Sequence, residues 1–274
     1  MGLKKSLEIV SRTHPGLVRN FNEDSIVTDP NLGLTILADG MGGYRAGDVA
    51  SEMATGIIHQ ELKLAWAQLK NDHIARANGF SAQSEVIRQA VDKANFTIYR
   101  SAHSNTKYQG MGTTLALAYF YENHILVAHS GDSRIYRFRN GRMKQMTQDH
   151  SVLQEQVELG MISQEDARRS HNRNLVTRAL GVDAALQLDM REEGTLPGDI
   201  YLLCSDGLND AVEDSNIELA VSELQANLQL TADILVQMAN DNGGHDNVSV
   251  ILIKVLRPFS DGQSWWRRLL SRWA

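Results

Sequence analysis

The spacing of apolar and polar residues along the chain predicts groups of strands that alternate with helices. Apolar or alternating runs predict short strands at 7–12, 25–28, 33–38, 113–121, 125–129, 133–138, 199–204 and 247–255. Apolar residues that recur every three or four positions predict helices at 46–69, 84–102, 215–225 and 231–241. Many strands of the antiparallel type with two pairs of helices predict an α+β fold. We expect a central antiparallel β-sandwich flanked by helices on both faces, in α/β/β/α layers.

Turns and helix faces refine this prediction. Glu122-Asn123 and Asn140-Gly141 predict tight hairpins between consecutive strands. The helix at 46–69 is expected to bury a face made of Val49, Met53, Ile57, Ile58, Leu62, Trp66 and Leu69. Residues 150–180 are polar, partly helical and rich in His and Arg, so they are typical either of a solvated face or of a surface that docks acidic or phosphorylated segments.

Composition limits the range of functions. The 274 residues carry 27 Lys and Arg against 33 Asp and Glu, a net charge of −6, which argues against nucleic-acid binding. The single cysteine, Cys204, excludes an internal disulfide and fits a reducing compartment. The apolar runs are far shorter than the ~20 residues of a membrane-spanning helix. We therefore expect a cytoplasmic protein.

Acidic residues occur where the predicted strands begin or end. Asp39-Gly40 and Asp206-Gly207 each follow an apolar strand, and Asp246-Asn247 precedes the last one. Glu23-Asp24 and Gly131-Asp132-Ser133 add further carboxylates. A single pair of this kind more often marks a turn. Several acidic sites at strand ends favour a cluster that holds cations, and oxygen ligands without a zinc motif favour Mg²⁺ or Mn²⁺.

Short motifs along the chain resemble the metal-dependent protein phosphatases of type 2C, in the order found in that family and over nearly the whole chain. The motifs are Arg19-Asn20-Phe21-Asn22-Glu23-Asp24, Asp39-Gly40-Met41-Gly42-Gly43, Gly112-Thr113-Thr114, Ser130-Gly131-Asp132-Ser133-Arg134, Asp149-His150-Ser151, Ser205-Asp206-Gly207-Leu208 and Asp246-Asn247. The short catalytic core and the segment 151–180, at the position of the family's flap subdomain, resemble the bacterial branch. We call this segment the flap.

The resemblance implies a pair of Mn²⁺ or Mg²⁺ ions that share a bridging water. By this match Asp39 would bridge both ions, and the carbonyl of Gly40 would bind one of them. Asp206 and Asp246 would bind the other. Glu23 would hold metal-bound waters, directly or from one layer further out. The cations would acidify the bridging water, and the resulting hydroxide would attack phosphorus in line without a phosphoenzyme intermediate.

Further roles follow from the same resemblance. Arg19 would grip the phosphoryl oxygens with its planar, permanently charged guanidinium. Asp132, together with Asp206, matches the ligands of a third ion in bacterial relatives, and Asp24 would orient water beside the cluster. Met41 stands where many eukaryotic relatives have a His that is proposed as general acid. Because Met cannot donate a proton, metal-bound water is expected to protonate the leaving group.

The predicted function is therefore a protein phosphatase that hydrolyses phosphoserine and phosphothreonine, opposes a Ser/Thr kinase and acts as a monomer. The alternative from another class is a catalytically silent pseudophosphatase that binds phosphoproteins. Retention of the candidate metal ligands argues against it, because silent relatives usually lose them. A metal-dependent hydrolase of other phosphate esters would share the chemistry and differ only in its pocket.

The C-terminal end differs from the rest of the chain. The expected division is a phosphatase-like domain at 1–256, with the flap at about 151–180, and a basic amphipathic tail at 257–274. Three of the four tryptophans lie in this tail, with Arg residues on the opposite side of a predicted helix. Docking on the domain or binding of a protein partner is favoured over contact with a membrane surface.

Overall fold

A computed structural model describes most of the chain. The described residues are 5–42, 46–69, 81–170 and 175–259, without the side chains of 67–69, 168 and 169. Most of the predicted tail, from residue 260 onward, and residues 171–174 of the flap lie outside these ranges. No helix within the described residues is long and apolar enough to cross a membrane.

The described residues form eleven strands and seven α-helices, with a short 3₁₀ turn at Thr106–Tyr108. The strands are β1 (Leu7–His14), β2 (Asp24–Asp29), β3 (Leu34–Met41), β4 (Gly112–Thr113), β5 (Leu115–Tyr121), β6 (His124–Ser130), β7 (Arg134–Arg139), β8 (Arg142–Gln145), β9 (Asp189–Gly194), β10 (Ile200–Cys204) and β11 (Val248–Val255). The helices are α1 (Ala46–Leu69), α2 (Ala82–Ser104), α3 (Val152–Glu158), α4 (Gln164–Arg169), α5 (Asp206–Asn209), α6 (Asp214–Leu224) and α7 (Leu228–Asp241).

The strands form two antiparallel sheets. One sheet has the order β1-β11-β10-β7-β8, and the other has the order β2-β3-β5-β6-β9 with β4 paired to β3. A core of apolar side chains from both sheets, including Phe120 and Tyr201, lies between them. A second core joins the outer face of one sheet to α1 and α2, and a third joins the other sheet to α6 and α7. These layers confirm the predicted α+β fold with helices on both faces of a sandwich.

Local sequence explains most element bounds. Helix α1 has the predicted limits and buries Ile58 and Leu62 as predicted, but its buried face also includes Ala46, Ala50 and Ala54, which were not predicted. Val49, Met53 and Ile57 are only partly buried beside them. Small side chains let the helix approach the sheet closely, so the larger ones fill the edges of the contact. The hairpin turns at 122–123 and 140–141 adopt the positive φ angles that their residues tolerate.

Three features of the strands differ from the prediction. Strand β3 continues past Ala38 to Met41, because Gly40 and Met41 pair with Thr113 and Gly112 of β4. Strands β8 and β9 were missed by the apolar pattern. Both are edge strands with many charged residues, such as Arg191 and Glu192 in β9, and charged edges hinder pairing with other chains.

Candidate metal centre

All the candidate site residues lie at one end of the sandwich. The antiparallel register places the last residues of β1, β3, β6 and β10 and the first residues of β5, β7 and β11 at this end. The tight turns at 122–123 and 140–141 lie at the other end. Loops between distant parts of the sequence therefore meet around the carboxylates, while the hairpins stay remote from them.

Asp39 and Asp24 are direct neighbours in the sheet. They face each other across β2 and β3, so both carboxylates leave the same face of the strand pair. The hydroxyl of Ser205 donates a hydrogen bond of 2.9 Å to Asp24 Oδ2, which joins this pair to the other sheet. Asp39 is thereby placed between carboxylates of both sheets.

Gly40 lies where two backbone segments touch. A Cβ at Gly40 would lie 2.1 Å from the carbonyl oxygen of Gly47 in the first turn of α1, so no larger residue fits there. The amide of Gly40 donates to the carbonyl of Glu23 at 3.1 Å. Glu23 thus lies close to the start of α1, and burial together with nearby Asp48 raises the pKa of its carboxyl.

Asp206 and Asp246 come from the five-stranded sheet. Asp206 is the first residue of α5, directly after β10, and Asp246 lies just before β11. Asn247 fixes this region, because its side chain accepts a hydrogen bond from the amide of Glu23 at 2.7 Å and donates to the carbonyl of Phe21 at 2.9 Å. The loop that carries the acidic motif at 23–24 is therefore attached to the segment that carries Asp246.

Asp132 completes the group from the turn between β6 and β7. Its side chain is buried, and burial raises its pKa to about 7. Burial raises the pKa of Asp24 to about 6. The pKa values of Asp39 and Asp206 are raised well above their usual range, first by burial and then by neighbouring carboxylates. These carboxylates resist ionising together, and a bound cation would reverse that preference.

The donor set fits hard divalent cations. Within the described ranges, no group of three or more His, Cys, Asp or Glu side chains is placed so that the group could hold a metal ion. Mg²⁺ usually keeps several waters and binds few carboxylates, so a complete protein cage is not required. Asp24 Oδ1 and Asp206 Oδ1 are buried and make no hydrogen bond to any described residue. Buried anionic oxygens of this kind are costly unless a cation compensates them.

Arg19 lies on the loop between β1 and β2, beside the carboxylates. Its Nη2 atom donates to Asp246 Oδ2 at 2.7 Å, and half of its side chain is exposed. The structure thus places the predicted phosphate ligand in direct contact with a predicted metal ligand. A guanidinium at the open rim of the site is suited to bind an incoming phosphoryl group.

Sequence reasoning missed a hydroxyl that connects the backbone of Asp39 to Ser133, the residue after Asp132. Thr114 Oγ1 accepts a hydrogen bond of 3.0 Å from the amide of Asp39. The same oxygen lies 2.7 Å from Ser133 Oγ, next to Asp132. The Gly112-Thr113-Thr114 motif was recognised only as part of a resemblance. Its hydrogen-bonding role requires the three-dimensional register.

A cleft of about 780 Å³ opens beside the carboxylates. Asp132 and Asp206 are among the residues that line it, together with residues of the flap and residues 209–214. His150 connects the base of the flap to the Asp132 turn, because its Nδ1 accepts from the amide of Gly131 at 3.2 Å and its carbonyl accepts from Thr177 at 2.8 Å. The Asp132 and Asp206 part of the site therefore borders an open cleft next to the flap.

Cys204 and His129 have side chains that could act as a nucleophile or a metal ligand, but both are buried. Cys204 is fully buried within β10, and burial raises the pKa of its thiol to about 12, which argues against cysteine chemistry. His129 is buried at the end of β6, with its ring 4.8 Å from that of His150.

Comparisons with known proteins identify the family. Residues 18–233 match the family model described as protein phosphatase 2C. The chain is 36% identical over 246 residues to the serine/threonine phosphatase stp of Listeria monocytogenes, which covers 89% of this chain and 94% of that protein. It is 33% identical over 254 residues to the protein phosphatase PhpP of Streptococcus pneumoniae, which covers 91% of this chain and 98% of that protein.

Solved structures agree with this match. The Mycobacterium tuberculosis serine/threonine phosphatase PstP/Ppp superimposes with a TM-score of 0.78 at 34% identity, covering 91% of this chain and 98% of that one. The catalytic domain of PstP in complex with two manganese ions gives a TM-score of 0.74 at 36% identity, with the same coverage. The chain belongs to the protein phosphatase 2C family, a class of metal-dependent serine/threonine phosphatases, which confirms the predicted resemblance, enzyme class and divalent-metal cofactor.

Proposed function

We propose that this protein removes phosphate from phosphoserine and phosphothreonine in other proteins, using Mn²⁺ or Mg²⁺, and that it opposes a Ser/Thr kinase. The observation that supports this most is the convergence of buried, uncompensated carboxylates from both sheets at the end of the sandwich. When bound, the ions supply Lewis acidity and an activated water for attack on phosphorus. The family membership agrees with this proposal.

Specific residues would hold the ions. The carboxylate of Asp39, between the two sheets, would serve both ions, and the carbonyl of Gly40 would serve one. Asp206 and Asp246 would hold the other ion. Asp132 lies next to Asp206 and would contribute to a third position.

The remaining residues would act on the substrate and on water. Glu23 and Asp24 would orient water molecules, with Asp24 itself held by the hydroxyl of Ser205. Arg19 would bind the phosphoryl oxygens. A cation at Asp246 competes with the ion pair that Arg19 now makes, so ion binding would free this guanidinium for the substrate.

The proposal also covers the location and oligomeric state of the protein, the flap and the tail. The acting unit would be a cytoplasmic monomer made of residues 1–256, with the flap at about 151–180 forming one wall of the cleft. The tail at 257–274 would bind a protein partner or dock on the domain. Its first described residues favour docking, because Phe259 is buried and lies against Phe120 with ring centroids 5.9 Å apart.

The experiment that tests the function measures phosphate release from a phosphothreonine peptide. Wild type with Mn²⁺ should release phosphate, EDTA should abolish release, and Asp39→Asn should lower it ~100-fold or more because a ligand is lost. Glu223→Gln, which changes an exposed carboxylate on α6, is the matched control and should retain full activity. If metal-loaded wild type does no better than Asp39→Asn, the protein-phosphatase proposal fails.

Arg19→Ala tests the role of the guanidinium. We expect KM for the phosphopeptide to rise about tenfold, because charge-assisted contacts to phosphate are lost. Mn²⁺ affinity should stay equal or increase, because a cation that competes for Asp246 is removed. Titration of Mn²⁺ followed by activity, together with direct metal binding by calorimetry, separates these effects. A large loss of Mn²⁺ affinity would refute the assigned role.

A further inference from the structure

Two large apolar side chains are exposed beside the proposed phosphate ligand. Leu17 is 67% exposed and Val18 is 61% exposed, and both directly precede Arg19 in the loop between β1 and β2. Single exposed apolar residues are common on protein surfaces. Here two of them are adjacent in sequence and lie at the rim of the site.

The backbone of this loop is held in place by hydrogen bonds. The amides of Leu17 and Val18 both donate to the carbonyl of Gly244, at 2.7 and 3.2 Å. At the start of the loop, the side chain of Asn247 donates to the carbonyl of Pro15 at 3.0 Å. The loop is therefore tied to the segment that carries Asp246.

Close packing prevents the loop from moving inward. Gly16 has a φ of +79°, and a Cβ there would lie 2.3 Å from the carbonyl oxygen of Asp246. A Cβ at Gly244 would lie 2.7 Å from Cγ of Leu17. The two backbone segments therefore lie in close contact, while the side chains of Leu17 and Val18 stay largely exposed. They are exposed apolar side chains, directly before Arg19, on a backbone that is held in place.

We propose that Leu17 and Val18 form an apolar subsite for a substrate side chain that neighbours the phosphorylated residue. The proposal rests on the proposed function, in which Arg19 binds the phosphate. A residue adjacent to the phosphorylated one lies about 3.3 Å further along an extended chain, within reach of a surface that adjoins Arg19. The subsite would favour Leu, Ile, Val, Met or Phe.

The size of this surface argues for a peptide segment as its occupant. A stable dimer needs about 800 Å² from each partner, which two side chains do not supply. An interfacial membrane contact needs a long amphipathic face with many basic residues, and this loop is short. One substrate side chain matches the area that Leu17 and Val18 offer.

Matched phosphothreonine peptides test the subsite. The background peptide has Ser at the two positions before and the two after phosphothreonine, and each test peptide replaces one Ser with Leu. With Mn²⁺, wild type should show a kcat/KM about three- to tenfold higher for at least one Leu peptide, through a lower KM. Leu17→Ser/Val18→Ser should lose that preference and retain the wild-type rate on the background peptide.

Control variants make the test decisive. Leu219→Ser removes a side chain on α6 that is 59% exposed, and it should keep the preference. Leu17→Ala and Val18→Ala, tested singly, serve if the double variant loses activity on the background peptide. The subsite is refuted if wild type prefers no Leu peptide or if the preference survives in the variants. If no peptide is hydrolysed in a manner dependent on Mn²⁺ and Asp39, the proposed function fails instead.

Discussion

Asp39 and Asp24 show that neighbouring carboxylates in this centre repel each other electrostatically. Like charges that face each other directly across paired strands are destabilising, and burial adds to the cost. The hydroxyl of Ser205 offsets part of it at Asp24, but Asp39 lies between carboxylates of both sheets. The arrangement that would serve a pair of cations is therefore unfavourable without them.

Replacement of Asp39 should consequently stabilise the metal-free protein while it abolishes activity. We expect Asp39→Asn to raise the free energy of unfolding in EDTA by about 1–2 kcal/mol, because one buried negative charge is removed. Denaturant unfolding followed by circular dichroism measures this. The matched control is Asp199→Asn, because Asp199 is also buried but accepts two hydrogen bonds from Arg139, so its loss should destabilise. Destabilisation by both substitutions would contradict the argument.

His129 gives a prediction about acid stability. Burial lowers its pKa to about 3, with His150, Asp189 and Arg134 as its charged or titratable neighbours. In the unfolded chain His129 takes up a proton near pH 6.5, whereas in the folded chain it stays neutral until about pH 3. The folded state therefore has its full stability with respect to His129 above pH 6.5 and loses stability as the pH falls towards 3.

Removal of this histidine should flatten the pH dependence. In wild type, His129 should make the free energy of unfolding fall by up to about 1.4 kcal/mol for each pH unit between pH 6 and 4. His129→Leu should lower the number of protons taken up on unfolding, and so the slope of the unfolding free energy against pH, by close to one proton. The reason is that leucine does not titrate in either state. Urea unfolding in EDTA at several pH values checks this. An unchanged slope would show that His129 becomes protonated inside the folded protein.

Among the elements, β3 and the turn after β6 are coupled by one hydroxyl. Thr114 Oγ1 contacts both the amide of Asp39 and the hydroxyl of Ser133, and a Cβ at Gly131 would lie only 2.7 Å from Thr114. The two acidic positions, Asp39 and Asp132, are thus held at a fixed separation by a residue that carries no charge.

Thr114→Val should test that coupling. Val keeps the shape but cannot hydrogen bond, so we expect Mn²⁺ affinity to fall about tenfold, as for other residues that position metal ligands. Thr114→Ser restores the hydroxyl and should recover the affinity, which a purely steric role would not explain. Mn²⁺ titrations by calorimetry and by activity are the measurements. Equal metal affinity for wild type and Thr114→Val would exclude the positioning role.

Sequence patterns predicted the elements where local and tertiary forces agree. The α1 limits and both hairpins followed from apolar spacing and turn residues. The extension of β3 through Met41 did not, because it depends on pairing with β4, more than 70 residues away in sequence. The charged edge strands β8 and β9 lack the apolar pattern by which internal strands are recognised.

For the whole molecule, the sequence predicted which acidic residues lie together at one end of the sandwich but not how they are held. Asp39, Asp206 and Asp246 were singled out by their positions at strand ends and by resemblance to a family. Their supporting contacts, such as that between Ser205 and Asp24, join residues 181 positions apart and leave no local pattern. The apolar rim at Leu17 and Val18 was also missed, since its meaning depends on the contact with Gly244.

The placement of the acidic centre gives the two ends of the sandwich different mechanical roles. Asp39 lies in one sheet, whereas Asp206 and Asp246 lie just after β10 and just before β11 of the other, so bound cations would fasten the sheets together at that end only. The opposite end is closed by tight hairpins and by apolar packing that includes Phe120 and Tyr201. When metal binds, local opening should therefore become rarer at the acidic end of the strands and stay unchanged at the hairpin end.

Amide hydrogen exchange would reveal this polarity. With Mn²⁺ in place of EDTA, protection should increase most at residues 39–41, 112–114 and 205–207, because local opening there requires the loss of a cation. Amides in the hairpins at 122–123 and 140–141 should change little. A uniform gain across the chain would mean that the sheets separate only by global unfolding. The polarised result would make the catalytic ions a reversible clamp, so that metal supply sets the flexibility of the cleft as well as its chemistry.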